Sequence, residues 1–380
     1  MKIPRDTAYF LLLVFSILLF LSVQLKYRLN YMKEKSNKVE TVAEIYKPDF
    51  SGIVVTDDNR IFLTFPQHSE AHSEPTLAEY KDGKLIPFPN KETTIPSNKA
   101  SEDKIVSPHG MTLDKKGRLW VLDDGKIAGQ PMAPGAAKVV CIDIDTKEII
   151  KKIIITPPAM RPDTHLNDVR VDLTHGESGM IYITNSSFGL HPSLIIVDIE
   201  TGKSRSVLEN HYSTQPQPGF MAFLEGKPLV YNPNKPTFPA GGANGIELSN
   251  DNKTLYWTSI IGRKLYSIST NILSDMNASE ETLGAAVKDH GDRPAADGIT
   301  IDTDDNLYFG SFEHLSIIRK KQNGEFELIA HDERFVWLDS LFVSNNYIYI
   351  TLGQWNRLPE FNNGKDLRKP PYLVVRVKIK

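Results

Sequence analysis

The sequence predicts an all-β fold, a six-bladed β-propeller preceded by one N-terminal transmembrane helix, and three observations carry this. A hairpin pattern recurs six times: an apolar-x-apolar strand, an Asp/Asn/Gly turn, then a strand rich in Tyr, Trp, Leu and Ile. The copies open at Ser51, His109, Asn167, Asn244, Asp297 and Asp339, so successive starts lie 58, 58, 77, 53 and 42 residues apart. Periods of about 40–50 residues mark propellers or arrays, and the longer intervals read as loop insertions. Gly and Pro number 24 each, a turn-rich count that suits many short strands better than long helices.

From the N-terminus, residues 1–8 are a short basic segment and Tyr9 to Leu25 is a nearly unbroken apolar run of 17 residues. That is the short end of what crosses a hydrocarbon core of about 30 Å. Ser22-Val23-Gln24-Leu25 lacks the small-residue pattern of a signal cleavage site, so an uncleaved anchor is expected. Residues 26–44 are polar and read as a tether, and 45–380 as the propeller. Further strands follow several hairpins, as at Lys138 to Ile142 and Leu194 to Ile199. The tail from Tyr372 alternates like a strand with no blade of its own, so it is expected to pair elsewhere and close the ring.

Composition excludes some classes. The chain is 40% hydrophobic and 24% charged with a formal net charge of -3, and no basic face or Lys/Arg cluster offers itself to nucleic acid. A single cysteine, Cys141, rules out an internal disulfide and sits in a strand-like run, where a buried small hydrophobe is expected. His165, His175, His191 and His211 are spread over loops without the spacing of a zinc site. The segment from Tyr212 to Gly242 is long enough to cover the channel mouth as a lid, or is a plain insertion.

In a propeller the innermost strands line the axis, so the six opening residues should face one shared space. Four are amides or carboxylates and one is a histidine. Oxygen ligands converging from several strands suit a hard cation such as Ca²⁺. The competing reading is that Asn and Asp at strand starts only make turn hydrogen bonds to nearby backbone.

Arg161-Pro162-Asp163 with Leu166-Asn167-Asp168-Val169, the run from Asn244 to Ile268 and the tail from Phe361 to Tyr372 resemble the major royal jelly/Yellow family. The similarity runs from about residue 100 to the end and is nearest to bacterial members labelled as dopachrome tautomerase-related. Asn167-Asp168, Asn244-Gly245 and Asp297-Gly298 also resemble the metal-binding signatures of the wider gluconolactonase/regucalcin propellers. That resemblance implies Asn167, Asn244 and Asp297 as ligands of a divalent cation, most naturally Ca²⁺, and hydrolysis of lactones or related esters. The sequence departs from the pattern at Ser51, which stands where those proteins carry a glutamate, and losing an anionic ligand weakens Ca²⁺ binding. Because the resembling proteins are secreted, the domain is expected outside the cytoplasm, anchored to the membrane, although the basic residues after the apolar run oppose that orientation.

Two functions follow as expectations. The first is a metal-assisted hydrolase or isomerase acting on a small molecule in the axial channel. Asp297 would be ligand and base, His109 a proton shuttle, and Ser51, Asp168 and Asp339 would contact the ligand. The second, from the Yellow resemblance, is capture of a small amine or sterol-like molecule without chemistry. Aromatics at the channel ends, Phe188, Phe220, Trp257, Phe312, Trp337 and Trp355, would then form the pocket, although interblade core is the plainer role for most of them. The pair Asp123-Asp124 reads as a solvated turn rather than an acid/base couple. Nothing in the sequence identifies a protein partner.

Overall fold

The computed structural model describes residues 14–22, 36–188, 190–230 and 241–380. Six four-stranded antiparallel sheets form the body. Their inner strands are Ile53–Val55, Pro108–Leu113, Leu166–Asp172, Ala243–Leu248, Ala296–Ile301 and Leu338–Ser344. These six neighbour one another in chain order, and the last packs against the first, which closes the ring. The fold is a six-bladed propeller.

Each blade alternates in burial because its two faces pack against different neighbours. Trp120, Val139 and Cys141 of the second blade meet Val169, Ile181 and Ile195 of the third. Tyr182 and Ile196 of the third meet Ile246 and Trp257 of the fourth. Cys141 is fully buried in the first of these layers, and burial pushes its thiol up to about 12, as expected of an inert core residue.

Closure differs from the expected domain boundary. The tail Tyr372–Lys378 is the third strand of the sixth blade, and the fourth is Val39–Ile45, paired from Val39↔Val377 to Ile45↔Tyr372. The tether expected over 26–44 therefore ends earlier, and its last residues are an edge strand of the ring. The stretch reads as polar because an outer strand buries few side chains, here chiefly Ala43 and Ile45.

The recurring opening motif has a structural cause. In blades two to six the pairing register shifts at the opening residue, between Pro108 and Met111, Leu166 and Val169, Ala243 and Ile246, Ala296 and Ile299, and Leu338 and Leu341. Such a bulge re-aims one side chain out of the sheet. Threonines of neighbouring blades fix the opening carbonyls: Thr64 Oγ1 donates to that of His109 (2.6 Å), Thr184 to that of Asn244 (2.5 Å) and Thr351 to that of Ser51 (2.6 Å).

The glycine that follows is demanded by close approach. A Cβ on Gly298 would lie 2.3 Å from the Asp339 carbonyl oxygen, and one on Gly52 2.5 Å from that of His109. Overpacking against backbone cannot be relieved by a side-chain shift, so Gly298→Ala is expected to destabilise the protein by roughly 2–3 kcal/mol. The urea midpoint measures this, and an unchanged midpoint would contradict the packing argument.

Residues 14–22, the described part of the expected anchor, are helical with Phe15, Leu18 and Phe20 exposed. No helix among the described residues is long and apolar enough to cross a membrane. The rest of the 9–25 run lies outside the described residues.

Candidate functional site

The bulges turn the opening side chains toward the axis, where a cavity of about 620 Å³ opens at one end of the ring. His109, Asn167, Asn244, Asp297 and Asp339 all line it. Ser51 does not; its hydroxyl lies 3.3–3.4 Å from the His109 ring. Asp168 also turns away. Its carboxylate accepts from Val169 N–H (2.8 Å) and from Arg170 (3.2 Å), whose guanidinium also holds Glu247 (2.8 Å). It is a structural bulge cap rather than a lining group.

Three of the six named aromatics, Phe188, Trp337 and Trp355, reach the cavity. Trp257 is interblade core, its indole bonded to the Ser213 carbonyl, and Phe312 stacks behind Trp337 at 4.8 Å. Phe220 belongs to a cluster with Leu224, Leu229 and Trp337, through which the described part of the 212–242 segment packs beside the mouth. Its residues 231–240 lie outside the described residues.

Two features of the floor stand out chemically. Asn167 and Asn244 line the cavity, and their carboxamides make no hydrogen bond to the protein among the described residues, while their backbone carbonyls accept from His109 and Thr184. Beside them, Asp297 accepts from the Trp337 indole (2.5 Å) and Asp339 from that of Trp355 (2.9 Å). Burial, then the neighbouring Asp339, pushes the Asp297 carboxyl well above the usual range. Asp339 rises to about 7, burial outweighing the bonds from Trp355 and Ser51. Two carboxyls whose ionisation burial disfavours and two amide groups together form a donor set at the cavity floor. Asn167, Asn244 and Asp297 offer oxygen donors that fit a hard divalent cation.

The second feature is a histidine cluster. His68, from the loop after the second strand of blade one, joins His109 and His165, their ring centroids 5.1–5.4 Å apart. Scattered in sequence, the histidines carried no zinc-like spacing; in space His165 is part of this cluster, while His175 and His191 pair with Asp172 and Asp163 elsewhere. Burial, then His165, holds His109 near 3, and burial with both neighbours holds His68 well below its ordinary value. A neutral His109 with so low a pKa is a weak base, so the shuttle role expected of it fits Asp339 better.

Asp123 and Asp124 are fully buried, not a solvated turn. Asp123 takes the Val106 and Ser107 N–H groups (2.7 Å each) and the buried Lys138 ammonium (2.8 Å). Asp124 takes Leu166 N–H (2.8 Å) and His165 Nδ1 (3.1 Å), and against the cost of burial His165 and Lys126 hold its carboxyl below the usual range.

His68 and His165 had a readable signal. An antiparallel second strand returns to the face where the inner strand began, so residues just beyond it rim the same mouth. That places His68, Lys126, Phe188, Ile260 and Trp355, while His165 and Trp337 stand two residues before an opening position, on its side of the strand.

Fold and site together define a six-bladed propeller with a polar, aromatic-walled pocket at the mouth of its axial channel. The chain belongs to the major royal jelly protein family, whose model matches residues 106–365. It is 25% identical over 241 residues to the protein yellow of Drosophila erecta, covering 59% of this chain and 42% of that one. It is 23% identical over 222 residues to major royal jelly protein 7 of Apis mellifera, covering 56% and 46%. The chain thus spans less than half the length of either relative. Among solved structures it resembles a luciferin-regenerating enzyme (TM-score 0.51, 14% identity, 90% and 95% of the two chains). It also resembles a regucalcin from Agrobacterium tumefaciens (0.50, 11%, 89% and 94%). At such identities the likeness is one of fold.

Proposed function

We propose that this protein acts on a small organic molecule held at the channel mouth, with a divalent cation on Asn167, Asn244 and Asp297, and that it hydrolyses or isomerises a lactone or related ester. The observation that carries the reading is the pair of cavity-lining carboxamides of Asn167 and Asn244, without a protein partner among the described residues, beside two carboxyls. As lining groups of the cavity, both are available to an ion or a ligand. Ca²⁺ is the natural choice for all-oxygen donors, and the Agrobacterium neighbour is itself described as calcium-binding. Such a cation, when bound, polarises a carbonyl oxygen.

The chain's own residues supply the rest. Trp337, Trp355 and Phe188 wall the pocket with apolar surface. Asp339, poised near neutrality, takes or returns a proton. The run at 9–25 holds the domain at a membrane, on its outer side; the apolar, exposed helix at 14–22 supports this.

The full-length chain is expected to hydrolyse at least one member of a panel of small lactones and esters in Ca²⁺, with kcat/KM lowered 100-fold or more, about 2.7 kcal/mol, in Asn167→Ala. No turnover, but saturable binding of a small amine, would instead favour capture without chemistry. That reading draws on the indoles of Trp337 and Trp355, which line the cavity beside the carboxyls that their N–H groups bond.

A further inference from the structure

We propose that His68, His109 and His165 form a second, nitrogen-donor metal site for Zn²⁺ or a similar transition ion, with its open position facing the channel cavity. One ligand nitrogen of each ring lies within 4.8 Å of the others, and all three rings line the cavity. Zn–N bonds of about 2.0–2.1 Å put tetrahedral ligands roughly 3.4 Å apart, so each ring closes on an ion by moving under about 1 Å.

The surrounding bonds set the tautomers. His109 Nδ1 lies 3.0 Å from the Asn167 carbonyl oxygen, which only accepts, so Nδ1 carries the hydrogen and Nε2 keeps its lone pair. Among the described residues only Ser51 Oγ, 3.4 Å from that Nε2, is placed to donate to it, and Ser51 also bonds Asp339. His165 Nδ1 lies 3.1 Å from Asp124 Oδ2, which leaves its Nε2 free in the same way. A carboxylate or carbonyl behind the distal nitrogen is the arrangement that orients metal-bound histidines. Asp124 is itself held by Leu166 N–H, so the second layer is rigid.

His68 supplies the independent sign. Its Nδ1 is buried with no hydrogen-bond partner, while its ring lies flat on Trp355 at 5.1 Å and 7°. Stacking fixes the ring plane yet leaves that nitrogen unsatisfied beside two other imidazoles. Three imidazoles with a fourth position open is the ligand count of a reactive zinc centre rather than a structural one, and imidazole suits zinc where the neighbouring oxygen donors suit calcium.

The test is cobalt substitution of the full-length, chelator-stripped chain. One equivalent of Co²⁺ is expected to give the visible absorption of a tetrahedral nitrogen-rich site, bleached by Zn²⁺. In His68→Ala the affinity should fall at least ten-fold, whereas Asn244→Ala, which empties the oxygen-donor set, should keep the spectrum. Absence of the bands, or wild-type affinity in a folded His68→Ala protein, overturns the assignment. If that variant does not fold, X-ray absorption at the zinc edge of the wild-type protein decides: three imidazole ligands support the site and an all-oxygen shell refutes it.

Discussion

A chain that begins at residue 46 is expected not to fold cooperatively, whereas one that begins at residue 36 does. The ten residues between them look dispensable in sequence, yet they hold the outer strand of the closing blade. Removing it exposes the edge of Tyr372–Lys378 and the apolar residues it covers, Val374 and Tyr372 among them. Burial of Ile45 and Ala43 contributes roughly 3 kcal/mol. The segment also anchors a neighbouring blade, since Asn37 N–H donates to the Ile329 carbonyl (2.9 Å) and the Ser36 hydroxyl accepts from His331 N–H (2.8 Å). Against a total stability of about 5–15 kcal/mol, the loss of strand, anchor and closure together is decisive. Circular dichroism through a thermal ramp would show a sharp transition for the longer chain and none for the shorter. A sharp transition in both would mean that the ring closes without this strand.

Asp339→Asn is expected to remove a pH-dependent instability of the cation-free protein. The Asp339 carboxyl stands at about 7 in the folded state against an ordinary 3.8, because burial disfavours its charge. An acid raised on folding contributes stability that is complete below the unfolded value and is lost as pH rises through the folded one. Between pH 5 and 7 in chelator, the wild-type protein should therefore lose roughly 2–3 kcal/mol relative to the variant. His109 and His68 act with opposite sign. Their depressed pKa values give stability that is present above about 6.5 and lost as pH falls. They titrate in both proteins and cancel in the difference between wild type and variant, which reports the coupled Asp339 and Asp297 carboxyls. Urea denaturation at the two pH values gives that difference, and parallel losses would show that Asp339 ionises normally.

Much of the fold was readable because the propeller repeats its chemistry. A polar opening residue heads all six inner strands, with a bulge in five blades and a following glycine in four, so one pattern marked them. Val39–Ile45 was missed because an outer strand buries little and carries no such signature. Asn167, Asn244, Asp297 and Asp339 were legible as converging residues since they share one position in the repeat. Asp168 was misplaced because its side chain serves the bulge and Arg170, a local matter that spacing does not reveal. His68 and His165 escaped for a third reason. Metal-like clusters are recognised in sequence by short spacing, and these rings come from three successive blades, about 40 to 60 residues apart, that only the packing of blade on blade brings together.

The measurement that bears most directly on the proposed site is the unfolding temperature of the full-length protein in chelator and across a Ca²⁺ titration, beside Asn244→Ala and Asp297→Ala. An ion that binds only the folded state adds about 2.7 kcal/mol at one hundred times its Kd, which raises the midpoint of a domain this size by roughly 4 °C. A saturable rise in the wild type, absent in both variants, is the expected result. A midpoint that ignores Ca²⁺, or one that rises equally in all three proteins, would contradict a cation on Asn167, Asn244 and Asp297.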